Sequence, residues 1–85
     1  APAVVITGEM GQPAELVSAL ERCGNVVYPV NGFKGLIASH AIDSINPSLV
    51  IYMAHGRIGD YAVDYLKQQN IPLFTPLNVN RLIDA

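Results

Sequence analysis

Leu49-Val50-Ile51-Tyr52-Met53, running into Ala54-His55-Gly56-Arg57-Ile58-Gly59, is the stretch on which the fold turns. Its first five residues show no alternation of apolar and polar side chains. A strand that reads this way is buried on both faces, as strands of a parallel sheet are. With Ala54 it forms the longest apolar run of the chain, and a bilayer takes about 20 residues to cross. The segment therefore predicts a central strand, and the glycine-punctuated stretch after it predicts a loop at the strand's carboxyl end.

Working outward, Ala3-Val4-Val5-Ile6-Thr7 has the same unbroken β-branched character and ends at Gly8. Residues 25–30 (Asn25, Val26, Val27, Tyr28, Pro29, Val30) predict a second strand. Its Pro29 cannot donate to a ladder, which argues for the end of a strand or an edge strand. Residues 71–75 predict a fourth strand, flanked by the breakers Pro72 and Pro76. Helical spacing fills the intervals. Leu16, Val17, Leu20 and Cys23 form one stripe, stopped by Gly24. Phe33, Ile37, Ala41 and Ile45 form a second, opened by Gly32 and ended at Asn46-Pro47. Ala62, Tyr65, Leu66 and Gln69 form a third, for which Asp60 is the expected cap and Asn70 the left-handed end. Residues 80–85 predict the start of a further helix. Strands alternating with helices imply parallel βαβ crossovers. The expected fold is a three-layer α/β/α domain of flavodoxin-like (Rossmann-like) type, a four-stranded parallel sheet in order 2-1-3-4.

The 85 residues are 51% hydrophobic and 14% charged, which suits one domain over residues 1–85 and excludes disorder. Five Lys and Arg stand against seven Asp and Glu, a net charge of −2. Without a basic stripe, no nucleic-acid partner is expected. Cys23 is the one cysteine, so neither a disulfide framework nor a cysteine zinc site is available. A free thiol suits a reducing, cytoplasmic compartment. The opening Ala1-Pro2-Ala3-Val4 has neither an initiator Met nor a charged leader, and predicts a domain excised from a longer chain.

In sheets of this kind ligands bind beyond the carboxyl ends of the strands, where the strand order reverses. Order 2-1-3-4 reverses between strands one and three. The loops there are Gly8-Glu9-Met10-Gly11-Gln12 and His55-Gly56-Arg57-Ile58-Gly59, so Glu9, His55 and Arg57 are expected to line one cleft with Gly8, Gly11 and Gly56. Gly8-x-x-Gly11 matches neither the dinucleotide fingerprint nor the phosphate loop with its Lys and Ser/Thr. His55 reads two ways, as a loop tie or as a metal ligand and proton carrier. Arg57 is either a surface ion-pair partner or a fork for a carboxylate or phosphate. Glu9 also suits a helix start for purely structural reasons. His40 and the Tyr61/Tyr65 pair read as ordinary helix residues, and Cys23 as a small core hydrophobe.

Several stretches together carry a resemblance: residues 26–32 (Val26 to Gly32), residues 45–53 (Ile45, Asn46, Pro47, then Ser48 to Met53), His55-Gly56-Arg57, Tyr65-Leu66-Lys67 and residues 70–80 (Asn70, Ile71, Pro72, Leu73, Phe74, Thr75, Pro76 onward). In this order they resemble the large subunits of cobaltochelatase and magnesium chelatase, over roughly residues 25–81. Those subunits are many times longer. The resemblance implies a parent that inserts Co²⁺ or Mg²⁺ as substrate metal into a tetrapyrrole, with ATP hydrolysed by partner subunits. Only His55, Gly56 and Arg57 carry over from a family motif. Glu9 is a geometric addition. Insertion needs a base for the pyrrole protons and a ligand for the metal, which assigns His55 and Glu9 as catalytic residues and His55 as the metal ligand. Arg57, Gly56, Gly8 and Gly11 would bind ligand. The competing expectation is a non-catalytic small-molecule-binding or structural α/β domain.

Overall fold

β1 (Ala3–Thr7) and β3 (Leu49–Tyr52) pair in parallel at the centre of the sheet, Val5 opposite Val50 and Ile6 opposite Ile51. All four of these side chains are buried, as the unbroken apolar runs require. The structure is a computed structural model that describes residues 1–8, 10–11 and 13–78. Glu9 and the expected helix over 80–85 lie outside the described residues.

β2 (Val26–Val30) pairs with β1, and β4 (Leu73–Phe74) pairs with β3, giving a four-stranded parallel sheet in the order β2-β1-β3-β4. This is the α/β flavodoxin-like arrangement. Pro29 sits on edge strand β2, where a missing donor is tolerated. β4 is shorter than the expected 71–75, because Pro72 and Pro76 bracket it. The ladder nevertheless reaches Pro72, whose carbonyl accepts the Val50 N–H at 3.0 Å.

Right-handed crossovers put α1 (Ala14–Arg22) on one face of the sheet and the later helices on the other, because the chain reverses direction after β2. Leu16, Val17 and Leu20 of α1 pack on Val4, Ile6, Ile51 and Met53. The opposite face buries Val5, Val50 and Ile58 under Phe33, Ile42, Ala62 and Leu66. Those four come from α2 (Phe33–Ala38), α3 (Ala41–Ile45) and α4 (Asp60–Gln68).

Three expectations are corrected. The helix expected from Gly32 to Ile45 is two helices, broken where His40 adopts φ 63°. Ser39 competes with the helical ladder: its hydroxyl donates to the Leu36 carbonyl and accepts from the Ala41 N–H, both at 3.4 Å. After the break Ile42, not Ala41, enters the core. Cys23 is exposed rather than core, because α1 ends before it. There Gly24 takes φ 92°, and the Asn25 N–H closes on the Leu20 carbonyl at 3.1 Å, turning position 23 off the stripe. Asp60 is not a cap. Gly59 holds that position without a side-chain bond, and Asp60 is the first residue of α4. Asn70 does end α4 in the left-handed region, at φ 57°, with the Ile71 N–H donating to Leu66 at 2.9 Å.

Among the described residues no helix is long and apolar enough to cross a membrane.

Val50 is 0% exposed between two helical layers. Val50→Asp would leave a charge there without a partner, costing several kcal/mol against a total stability of about 5–10 kcal/mol. Circular dichroism of this variant is expected to show no cooperative melt, whereas Val50→Ala keeps one at lower temperature.

Candidate functional site

Thr7 and Tyr52 are register partners at the carboxyl ends of β1 and β3, and both lie on the face covered by α2 and α4. That face of the edge opens into a cleft of about 400 Å³, lined by Thr7, Gly8, Gly11, Asn31, Phe33, Tyr52 and Tyr61. The strand ends supply Thr7, Tyr52 and, just past β2, Asn31. Phe33 is buried at the start of α2. Tyr61 is brought in from α4 by Gly59: a Cβ there would stand 2.5 Å from the Tyr61 ring, so only glycine leaves the ring that position. The Lys34 Nζ lies 5.7 Å from the centroid of the Tyr61 ring.

Gly8 does more than line this cleft. It has φ 118°, and a Cβ on it would fall 2.5 Å from the Met53 carbonyl oxygen. Around it the Met53 N–H donates to the Thr7 carbonyl at 2.6 Å, and the Met10 N–H donates to the Met53 carbonyl at 3.0 Å. The loop after β1 is therefore fastened to the end of β3, and the opening forms over β2, β1 and β3 instead of between the two loops. Gly11 also lines the cleft, at φ 79°.

His55, Gly56 and Arg57 lie on the β3–α4 loop, at the expected edge of the sheet but not among the described lining residues of the cleft. His55 is exposed. Gly56 has φ 92°, which explains a glycine between the two side chains. The Arg57 side chain is 86% exposed and lies 3.8 Å from Asp60, an ion pair of small energetic value in water. Among the described residues no three His, Cys, Asp or Glu side chains gather into a set able to hold a metal ion. His55 is an exposed imidazole on this loop. The side chains that do line the cleft had one legible signal: Thr7 and Tyr52 are the polar atoms that end two otherwise apolar strands.

A second groove, of about 350 Å³, lies at the opposite, amino edge of the sheet among Asp43, Asn46, Tyr65 and Asn70. Tyr61 and Tyr65, neighbours on one helix, thus serve opposite edges. The Tyr65 hydroxyl donates to Asp43 at 2.7 Å, and His40 Nδ1 lies 3.6 Å from the other Asp43 oxygen. Burial, that hydrogen bond and the Asp43 charge push Tyr65 up to about 12.

Fold and site define a parallel α/β domain with a ligand-sized cleft at the carboxyl edge of its sheet. Comparison with protein-family models, with curated proteins and with solved structures finds no match.

Two outcomes are expected. His55→Ala should change unfolding free energy by no more than about 0.5 kcal/mol in denaturant titration, since the ring is exposed. Because the folded state raises the Tyr65 pKa, its neutral form favours folding. That contribution is complete below pH of about 10 and is lost as pH rises toward 12. Absorbance titration should show one late tyrosinate transition, absent in Tyr65→Phe and moved to lower pH in Asp43→Asn.

Proposed function

We propose that this domain is one unit of the large subunit of a metal chelatase, which inserts Co²⁺ or Mg²⁺ into a tetrapyrrole while partner subunits hydrolyse ATP. The observation that carries the reading is the placement of His55-Gly56-Arg57. The motif leaves the central strand on an exposed loop, held open by the left-handed Gly56. A metal in transit needs ligands that release it, and a single accessible imidazole is such a ligand, unlike the closed ligand shell of a structural site. His55 would also accept a pyrrole proton, the ring nitrogen of an exposed imidazole being a base within reach of solvent and substrate. Arg57, paired with exposed Asp60, can turn to a carboxylate arm of the macrocycle at little loss. The remaining ligands, the second base and the macrocycle platform belong to the rest of the large subunit. The compartment in this reading is the cytoplasm.

The non-catalytic alternative, a small-molecule-binding domain, draws support from the cleft of about 400 Å³.

The test uses the full-length large subunit with its partners. His55→Ala is expected to slow metal insertion about a hundredfold or more, the range of a lost acid–base group, with ATP hydrolysis retained. Insertion at the unaltered rate in this variant would remove His55 from the reaction.

A further inference from the structure

We infer that the carboxyl-edge cleft binds a small planar carboxylate, with its ring among Phe33, Tyr52 and Tyr61 and its charge toward Lys34. The inference stands on the cleft alone and holds whether or not the parent is a chelatase.

The volume of about 400 Å³ falls in the lower part of the range for small-ligand sites, roughly 300–1,000 Å³. It suits one or two rings rather than a whole macrocycle. Three of the lining side chains are aromatic, and flat faces select a flat ligand. Thr7 and Asn31 add a hydroxyl and an amide, placed polar groups that can orient a ligand beside the aromatic rings.

The sign of the ligand's charge follows from Lys34. Its ammonium lies 5.7 Å from the centroid of Tyr61, one of the lining rings, so a cation already stands against that ring and a second one beside it would be repelled. None of the described lining residues is an acid. The nearest described carboxylate on α4, Asp60, lies 3.8 Å from Arg57.

The loop chemistry separates carboxylate from phosphate. A phosphate site of this fold would present successive backbone N–H groups of the β1 loop. Here the Met10 N–H is donated to the Met53 carbonyl at 3.0 Å, and the Gly11 N–H points to the Gly8 carbonyl at 3.4 Å. Two of the amides that would cradle a phosphate are turned inward. A single side-chain cation with neutral donors suits a singly charged carboxylate better than a doubly charged phosphate.

The experiment is a heteronuclear NMR titration of the chain with benzoate, benzamide, benzylammonium and inorganic phosphate in turn. Benzoate is expected to move the backbone amides of Gly8, Gly11 and Asn31 along one saturating curve, with benzamide weaker and benzylammonium and phosphate without effect there. Lys34→Gln, an exposed substitution, should weaken benzoate by up to about fivefold and leave benzamide unchanged. Asn31→Trp, also at an exposed position, should fill the cleft and abolish both. No saturating response to benzoate would overturn the site. Equal or tighter binding of benzylammonium or phosphate would overturn the ligand class. Benzoate binding that survives Asn31→Trp would place the ligand elsewhere and overturn the cleft.

Discussion

The backbone of Gly8 lies directly against that of Met53, and the whole ligand edge is arranged around that contact. No side chain fits between them, since a Cβ at position 8 would stand 2.5 Å from the Met53 carbonyl oxygen. Hydrogen bonds on either side, Met53 to Thr7 and Met10 to Met53, extend the β1–β3 pairing past the formal strand ends. The central pair is thereby closed at its carboxyl end, and β2 and β4 add to a sheet whose middle is already defined. The loop after β1 is thus tied to the end of β3. Space remains over the face where Thr7 and Tyr52 stand side by side, bounded by Phe33 and Tyr61.

The domain divides its chemistry between its surfaces. The carboxyl edge carries the aromatic cleft and, beside it, the exposed His55-Gly56-Arg57 loop. The amino edge carries Tyr65, Asp43 and His40, linked by a hydrogen bond and an ion-pair distance. The break at His40 underlies this second arrangement. With φ 63° at His40, the chain begins α3 afresh, and Asp43 falls three residues on, within reach of both His40 and Tyr65. Were residues 33–45 one helix, Ile42 would leave the core position it holds. The break therefore serves packing first and places Asp43 second.

Much of the fold was legible in the amino-acid sequence for a physical reason: backbone pairing and burial act through local patterns. Apolar runs at 3–6 and 49–53, short and rich in β-branched residues, fit strands covered on both faces, and breakers at Gly24 and Asn70 lie where the left-handed ends occur. Alternation of strand and helix then leaves few topologies, and the observed order is one of them. Such patterns say little about helix interiors, where Ser39 could bond its own backbone, or about whether position 23 stays on a stripe after the helix has ended.

The site was legible only in part. Its location at the carboxyl edge followed from strand order alone, and Gly8 and Gly11 do line the cleft there. Which side chains face it depended on distances between residues far apart in the chain. Thr7, Tyr52 and Tyr61 and the pair Asn31 and Phe33 come from four separate segments, and no spacing rule connects them. The residue types best suited to ligand chemistry in the sequence were His55 and Arg57, but both side chains are exposed on their loop. What the sequence determined by itself was the sheet, its order and the edge at which the cleft lies, because these depend on local hydrophobic period and chain direction. What only the tertiary structure decided was the side of that edge that opens, because a close contact between the backbones of Gly8 and Met53 closes the other.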